Sequence, residues 1–391
     1  MTGPISCSQD SSSDLIDVTI FEQIMKPQII EVQSKKELKQ FIDLPASIYR
    51  DDKIWVNSIS LIDKKLFKDI IHNKCRLFLA LKEDRPVGRV AAFIDDNYDR
   101  KWTGESVGFW GSFESIKDYE VAGQLFETAE AYIRKHKKTE MRGPVNFIPQ
   151  SMGFLSENYF SPPVIISTYN PPYYVDFAER YGFSVEKILI ALIFDGRWGY
   201  KIPERFEKWF EKNKEKHRIK LRFVKAKDIK KEIVAIVDIV NRSYSNYWGF
   251  APVSDEEGMD IAKMLSPVLN DKCVLLAEVD DIAIGFTFAL PDIYIPLRET
   301  GGNVFPTGIF KFIKFLKKPC YYRLWALGVC PEYQRKAVDV LLYMYMYKAL
   351  EPEKIILEAN WVFDDNKTMM NAILKLGGEV YKRYKFYKKD L

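Results

Sequence analysis

The chain has 391 residues, of which 58 are basic, 54 acidic and 47% hydrophobic. That length favours two domains over one, and that composition suits a globular protein with a sizeable core. A net charge of +4 is too balanced to argue for a nucleic-acid partner. The 5 cysteines are widely spaced with no Cys-x-x-Cys pair, which argues against a disulfide framework or a structural zinc and suits a reducing cytosol.

Met1–Asp14 is Ser-rich, without a basic start or an apolar centre, so it does not read as a secretory signal. With the residues up to 27 it reads as a disordered tail. No apolar run reaches the ~18 residues that a bilayer span needs. Alternation then predicts a strand at Gln28–Gln33, a helix starting at Lys35–Phe41, a hairpin over Leu77–Phe93 and a strand at Ser106–Phe113. A helix at Tyr119–His136, a strand at Met141–Pro144, a helix at Pro172–Tyr181 and a strand at Phe183–Phe194 complete a first half, 28–200. The charged stretch Pro203–His217 reads as a linker helix within 201–218. A second half, 219–391, repeats the order. It has a strand at Leu221–Val224, helices at Ile229–Asn246 and Asp255–Leu265, and a hairpin over Val274–Leu290. A strand at Tyr321–Val329, a helix at Ala337–Leu350, a strand at Ile355–Trp361, a helix at Lys367–Leu376 and a strand at Glu379–Tyr387 follow. Alternating strands and helices predict an α/β (α+β) fold with two mixed-sheet units in tandem.

The halves share landmarks. Ala80 and Gly88 recur as Ala277 and Gly285, each 197 residues on. Asn170 recurs as Asn366, 196 residues on, and each precedes a helical stretch that a glycine stops. Two landmarks at nearly one offset point to a duplicated fold.

Leu327–Leu342 reads LGVCPEYQRKAVDVLL. A strand ending in Val329, a Pro-Glu-Tyr turn and a six-residue loop, Gln334-Arg335-Lys336-Ala337-Val338-Asp339, open a helix there. Such a loop presents free amides at the positive end of a helix, where phosphates bind. This segment resembles the signature of the GNAT superfamily of acyl-CoA N-acyltransferases, and Asn366 with Gly377 resembles its later Asn…Gly helix. The resemblance implies that the second half binds acyl-CoA, acetyl or longer, through Val329, Gln334, Arg335, Lys336, Ala337, Val338, Asp339 and Asn366. Two small positions of the signature are Ala337 and Asp339 here. The alanine fits if its φ stays negative, and the carboxylate repels phosphate unless it turns aside. The matching stretch of the first half, Phe113–Leu125, has no such loop and carries Asp118 and Glu120, so that half is expected not to bind the donor.

Amide formation from a thioester needs a group that takes a proton from the amine. Glu358, on a central strand, is the first candidate, with an ion pair to a residue such as Arg323 as its structural alternative. The family's late-helix tyrosine falls near Ile373, so that acid is missing. Glu114 and Tyr173 form a second polar group in the first half, beside the Pro-rich stretch Ser161–Tyr174, where proline stiffens the backbone. The 3 histidines, His72, His136 and His217, have no partners at metal-ligand spacing, so no metal is expected.

Within an insertion, Ile293–Pro319, the stretch Gly308–Lys318 reads GIFKFIKFLKK. Its wide apolar face with a lysine edge suits an anionic membrane surface, a roof over a long acyl chain, or burial between the halves. The stretch Ser161–Tyr174, SPPVIISTYNPPYY, with GFWGSFE (Gly108–Glu114) before it, resembles tandem bacterial members of the superfamily, some of which act on lipid amines such as sphingoid bases. Three readings stand at this point. One is an acyl-CoA-dependent N-acyltransferase with a small-molecule or lipid amine acceptor, cytoplasmic or peripheral at the inner face of a membrane. Another is a catalytically silent CoA- or lipid-binding module. The last is an aminoacyl transferase, which the modest net charge disfavours.

Overall fold

The computed structural model of the protein describes residues 26–56, 74–146, 151–301 and 308–391. The tail expected over 1–27 falls, up to residue 25, outside the described residues, as does His72.

The first half opens on β1 (Gln28–Glu31) and α1 (Lys35–Ile48). α1 begins where Ser34 accepts from the Glu37 amide and Glu37 reaches back to the Ser34 amide, a capping box that satisfies two donors left free at a helix start. β2 (Cys75–Lys82) and β3 (Arg85–Phe93) form the hairpin. Then come α2 (Asp96–Lys101), β4 (Val107–Ser115), α3 (Tyr119–Lys135), β5 (Glu140–Gly143), β6 (Phe154–Glu157), α4 (Tyr173–Tyr181) and β7 (Ser184–Asp195). α5 (Glu204–Lys216) is the expected connecting helix. Its Phe210 is buried in the second half's core and stacks on Tyr345, so the connector is docked.

The second half runs β8 (Lys220–Phe223), α6 (Ile229–Ser243), α7 (Asp255–Leu265), β9 (Val274–Val279) and β10 (Ile282–Pro291). The insertion supplies α8 (Tyr294–Glu299) and α9 (Gly308–Lys317). β11 (Tyr321–Val329), α10 (Val338–Leu350), β12 (Ile356–Phe363), α11 (Lys367–Lys375) and β13 (Glu379–Asp390) complete the chain. The repeat landmarks occupy equivalent places: Ala80 faces Gly88 and Ala277 faces Gly285 across their hairpins. Gly182 ends α4 at φ 98° and Gly377 follows α11 at φ 91°, the left-handed region that favours glycine. Asn366 caps α11, but Asn170 does not cap α4; it is buried and pairs instead with both backbone groups of Leu155.

All the strands belong to one sheet, in the order β1-β2-β3-β4-β5-β13-β7-β12-β11-β10-β9-β8, with β6 paired to β13. The last strand of each half has therefore changed sides. β13 pairs with β5, and β7 pairs with β12. The two exchanged strands pair with each other along the seam, from Glu379–Ile193 to Lys388–Ser184. The sequence division into 28–200 and 219–391 is thus not a division of the sheet. An antiparallel seam between two inner strands hydrogen-bonds both halves into one body and leaves neither with an open inner edge.

Candidate functional site

β11 and β12 run parallel and pair from Tyr321–Ile356 to Leu324–Ala359. Beyond that rung they part, although β11 continues to Val329 and β12 to Phe363. Irregularities at one level turn them aside. β11 carries an extra residue, Trp325, opposite the Phe288–Ala289 step of β10. β12 places Asn360 and Trp361 where β7 has Ala191 alone. Such bulges bend a strand and re-aim its side chains. In the parted stretch the Tyr244 hydroxyl donates to the carbonyl of Leu327. The Tyr244 ring meets Tyr247 edge-on at 5.2 Å, and the Tyr247 hydroxyl accepts from Asn366 Nδ2 at 3.2 Å. Two tyrosines after α6 thus bridge the opening from β11 to the start of α11.

The loop expected to hold phosphate closes the wide end of this opening. Gln334 Nε2 donates to the Val329 carbonyl at 3.1 Å, drawing the loop back onto its strand. Arg335 and Ala337 both take left-handed backbone, at φ 61° and 60°. The condition that Ala337 keep a negative φ is not met: this position needs the conformation that a glycine adopts without strain, and alanine adopts it at a cost of about 1–2 kcal/mol. α10 then starts without a side-chain cap and is packed into the core by Val338, Leu341 and Leu342. Arg335 and Lys336 are exposed, and Lys336 Nζ sits 4.7 Å over the Tyr333 ring. Asp339 does not turn out to solvent. It is partly buried against the amides of Val340 and itself, and burial raises its pKa despite those bonds. Tyr343 stands near Asp339, and burial raises its hydroxyl pKa strongly, with Tyr244 and Asp339 adding to the effect.

The first half has the same parting, but its own chain fills it. β4 pairs with β5 only from Val107–Glu140 to Phe109–Arg142. Beyond that, the Val145 amide donates to Trp110 O at 2.8 Å and Asn146 Oδ1 accepts from the Ser112 amide at 2.8 Å. A Cβ on Gly111 would sit 1.6 Å from Val145 O, so glycine is what allows this backbone to close in. The start of α3 is capped by Asp118, which also pairs with Lys82 at 2.8 Å. Glu114 accepts from the Tyr49 and Tyr174 hydroxyls at 2.8 Å each, and burial raises its pKa against the opposing pull of Arg89. Tyr173 donates to Ser115 O at 3.0 Å. Three strands, β5, β13 and β7, lie between β4 and β12, so Glu114 belongs to a different polar group from Glu358.

Glu358 lies one rung before the strands part and is fully buried. Its oxygens accept from the Tyr321 hydroxyl at 2.7 Å and from Asn360 Nδ2 at 3.0 Å. Its ionic partner is Lys382 of β13, 3.7 Å away and equally buried. Arg323 faces Glu358 in the ladder but is not that partner. Its guanidinium donates to Ile165 O at 2.9 Å and Asn360 O at 3.4 Å, and burial pushes its pKa down to about 10. Asp292 completes the group, accepting from the Ile165 amide at 2.9 Å.

The Pro-rich stretch of the first half is what satisfies these charges. Pro162 O accepts from Lys382 Nζ at 2.7 Å, Pro163 O from Arg298 at 3.4 Å, and Ile165 O from Arg323. Proline keeps its carbonyl while lacking an N–H, so this segment offers acceptors to a seam rich in cations. Lys382 and Asp292 were missed in the sequence, where the first looks like part of a solvated basic run. The available signal was its phase: Lys382, Tyr384 and Phe386 share one face of β13 and are all buried. Among the described residues, no cluster of His, Cys, Asp or Glu could hold a metal ion, and no helix is long and apolar enough to cross a membrane.

No protein-family profile matches the chain. It is 27% identical to Protein YghO of Escherichia coli over 374 residues, covering 92% of this chain and 94% of the relative. It is 28% identical over 376 residues to a protein of Caulobacter vibrioides named bacterial ceramide synthase, covering 93% and 97%. Among solved structures it superposes on a tandem GNAT protein from the clavulanic acid biosynthesis pathway with a TM-score of 0.54 at 14% identity, covering 93% of this chain and 98% of that one. It also matches the glucosamine N-acetyltransferase region of a fungal multi-domain β-N-acetylglucosaminidase, with a TM-score of 0.58 at 11% identity, covering 93% of this chain but 38% of that longer one. The parted β11 and β12, the same parting filled in the first half, and the likeness to a tandem GNAT structure along nearly its whole length lead to one statement: this chain carries the GNAT fold twice, in tandem, with the final strands exchanged.

Proposed function

We propose that the protein moves an acyl group from acyl-CoA to an amine, with the donor in the second half and the acceptor entering at the seam between the halves. The observation that carries this reading is the asymmetry of the two partings. Val145 and Asn146 fill the first, while the second leads to an uncapped helix start with two exposed cations beside it. The helix dipole, Arg335 and Lys336 favour a diphosphate there, and the Asp339 carboxyl, which holds the amides of Val340 and itself, opposes it. The amide-bearing arm of coenzyme A suits the parted edge of β11, which β12 no longer covers, with Tyr244 and Gln334 already on the carbonyls of Leu327 and Val329. Asn366, tied to Tyr247, borders the same opening.

At the narrow end the amine forms its N–C bond as the thioester C–S bond breaks, and the amine must lose a proton. We assign Glu358 as the acceptor of that proton; Asn360, which donates to it at 3.0 Å, stands on the side of the opening, and the Tyr321 hydroxyl, 2.7 Å away, on the other. Lys382 and Asn360 hold the carboxylate in place. The Caulobacter relative supports a long-chain amine as acceptor: a ceramide is by definition an N-acylated long-chain amino alcohol.

The test measures free thiol and amide product with acetyl- or palmitoyl-CoA and a long-chain amino alcohol. Amine-dependent thiol release supports the reading. Donor binding without any release would instead support a silent binding module. Arg335→Ala with Lys336→Ala should weaken donor binding by about tenfold or more, the loss expected for two charged phosphate contacts; unchanged affinity would remove the loop from the site.

A further inference from the structure

Helix α9 is poorly buried for so apolar a segment. Phe312 and Leu316 pack against the second half's core, but Phe310 and Ile313 face outward, 76% and 47% exposed. At 3.6 residues per turn, Ile313, Lys317, Phe310, Lys314 and Lys311 follow one another around the outer side. All three lysines are exposed and the helix holds no acidic residue, though Lys311 lies 4.0 Å from Glu299 of α8. An apolar ridge set among cations matches a surface that offers anionic head groups above acyl chains.

The insertion is anchored at the charged seam. Arg298 of α8 donates to Pro163 O, and Asp292, just before α8, accepts from the Ile165 amide. Whatever α9 lies on is therefore held beside the place where Glu358 and Lys382 meet. We infer that α9 is an interfacial helix that lays Phe310 and Ile313 into an anionic lipid surface, with Lys311, Lys314 and Lys317 among the head groups. Its link to catalysis rests on the acyl-transfer reading, since a lipid amine acceptor would then be presented at the seam; its test does not.

The full chain is sedimented with vesicles of phosphatidylcholine alone or mixed with phosphatidylglycerol. Binding is expected to the anionic vesicles and to fall as salt is raised. Phe310→Ser with Ile313→Ser should cut partitioning by about tenfold or more, and Lys311→Glu with Lys314→Glu and Lys317→Glu should abolish the preference for anionic lipid. These side chains lie outside the core, so both variants should keep the parent's melting temperature and its thiol release with a soluble short-chain amine. Loss of that release in every form would count against the acyl-transfer reading alone. Equal binding to neutral and anionic vesicles, or unchanged binding of the serine variant, would overturn the lipid assignment. So would a chain that ignores vesicles but forms a dimer that Phe310→Ser disperses, because α9 would then pack against a second copy.

Discussion

Asp292 should make the protein less stable as pH rises, and Asp292→Asn should remove the effect. The carboxyl is 2% exposed and accepts from the Ile165 and Tyr294 amides through Oδ1. Burial pushes its pKa up to about 7, a rise that the Arg298 charge only partly offsets. A carboxyl whose folded pKa is raised favours folding while it is neutral. That advantage is complete below the unfolded value near 4 and is lost as pH climbs from there to about 7. Once ionised it costs the fold up to about 4 kcal/mol relative to a group that stays neutral. Asparagine keeps the carbonyl acceptor for both amides and never ionises. The variant should therefore gain on the parent by about 2–3 kcal/mol between about pH 5 and about pH 8. Urea unfolding followed by tryptophan fluorescence at the two pH values measures the difference. A constant difference, or an asparagine variant weaker than the parent at the higher pH, would refute the reasoning.

Ala337→Gly should relieve the left-handed backbone strain of about 1–2 kcal/mol while adding about 0.5–1 kcal/mol of chain entropy cost, a net gain of roughly 0.5 kcal/mol visible as a slightly higher melting temperature. A clear loss would mean that the position does not hold φ near 60°. Gly111→Ala should destabilise by about 2–4 kcal/mol, because Val145 must move and its bond to Trp110 is lost. A melting temperature equal to the parent's would show that the first parting is not filled. Lys382→Met should cost about 3–5 kcal/mol by leaving Glu358 buried without a cation, and adding Glu358→Gln should recover much of that loss. Additive losses in chemical denaturation would rule out the pairing.

The amino-acid sequence by itself determined most of the elements, their order and the duplication, though α2, β6 and α8 were not read from it. Period-two and period-3.6 patterns, capping residues such as Ser34 and stops such as Gly182 and Gly377 act over a few residues, so they can be read locally. The 197-residue offset of Gly88 and Gly285 carried the repeat, and the run Gln334–Asp339 carried the expectation of a phosphate loop. Other features depended on tertiary structure. Which strands the final strands join, why the first parting is filled by Val145, and why Lys382 rather than Arg323 meets Glu358 depend on residues up to 250 positions apart. β7 and β13 have compatible patterns, and either could pair beside β5 or β12 as far as local propensity is concerned; long-range hydrogen bonding and burial choose. The sign of φ at Ala337 belongs to the same class. The loop is drawn back to Val329 by Gln334 while α10 is held in the core, and the backbone between those anchors must turn left-handed whatever residue stands there.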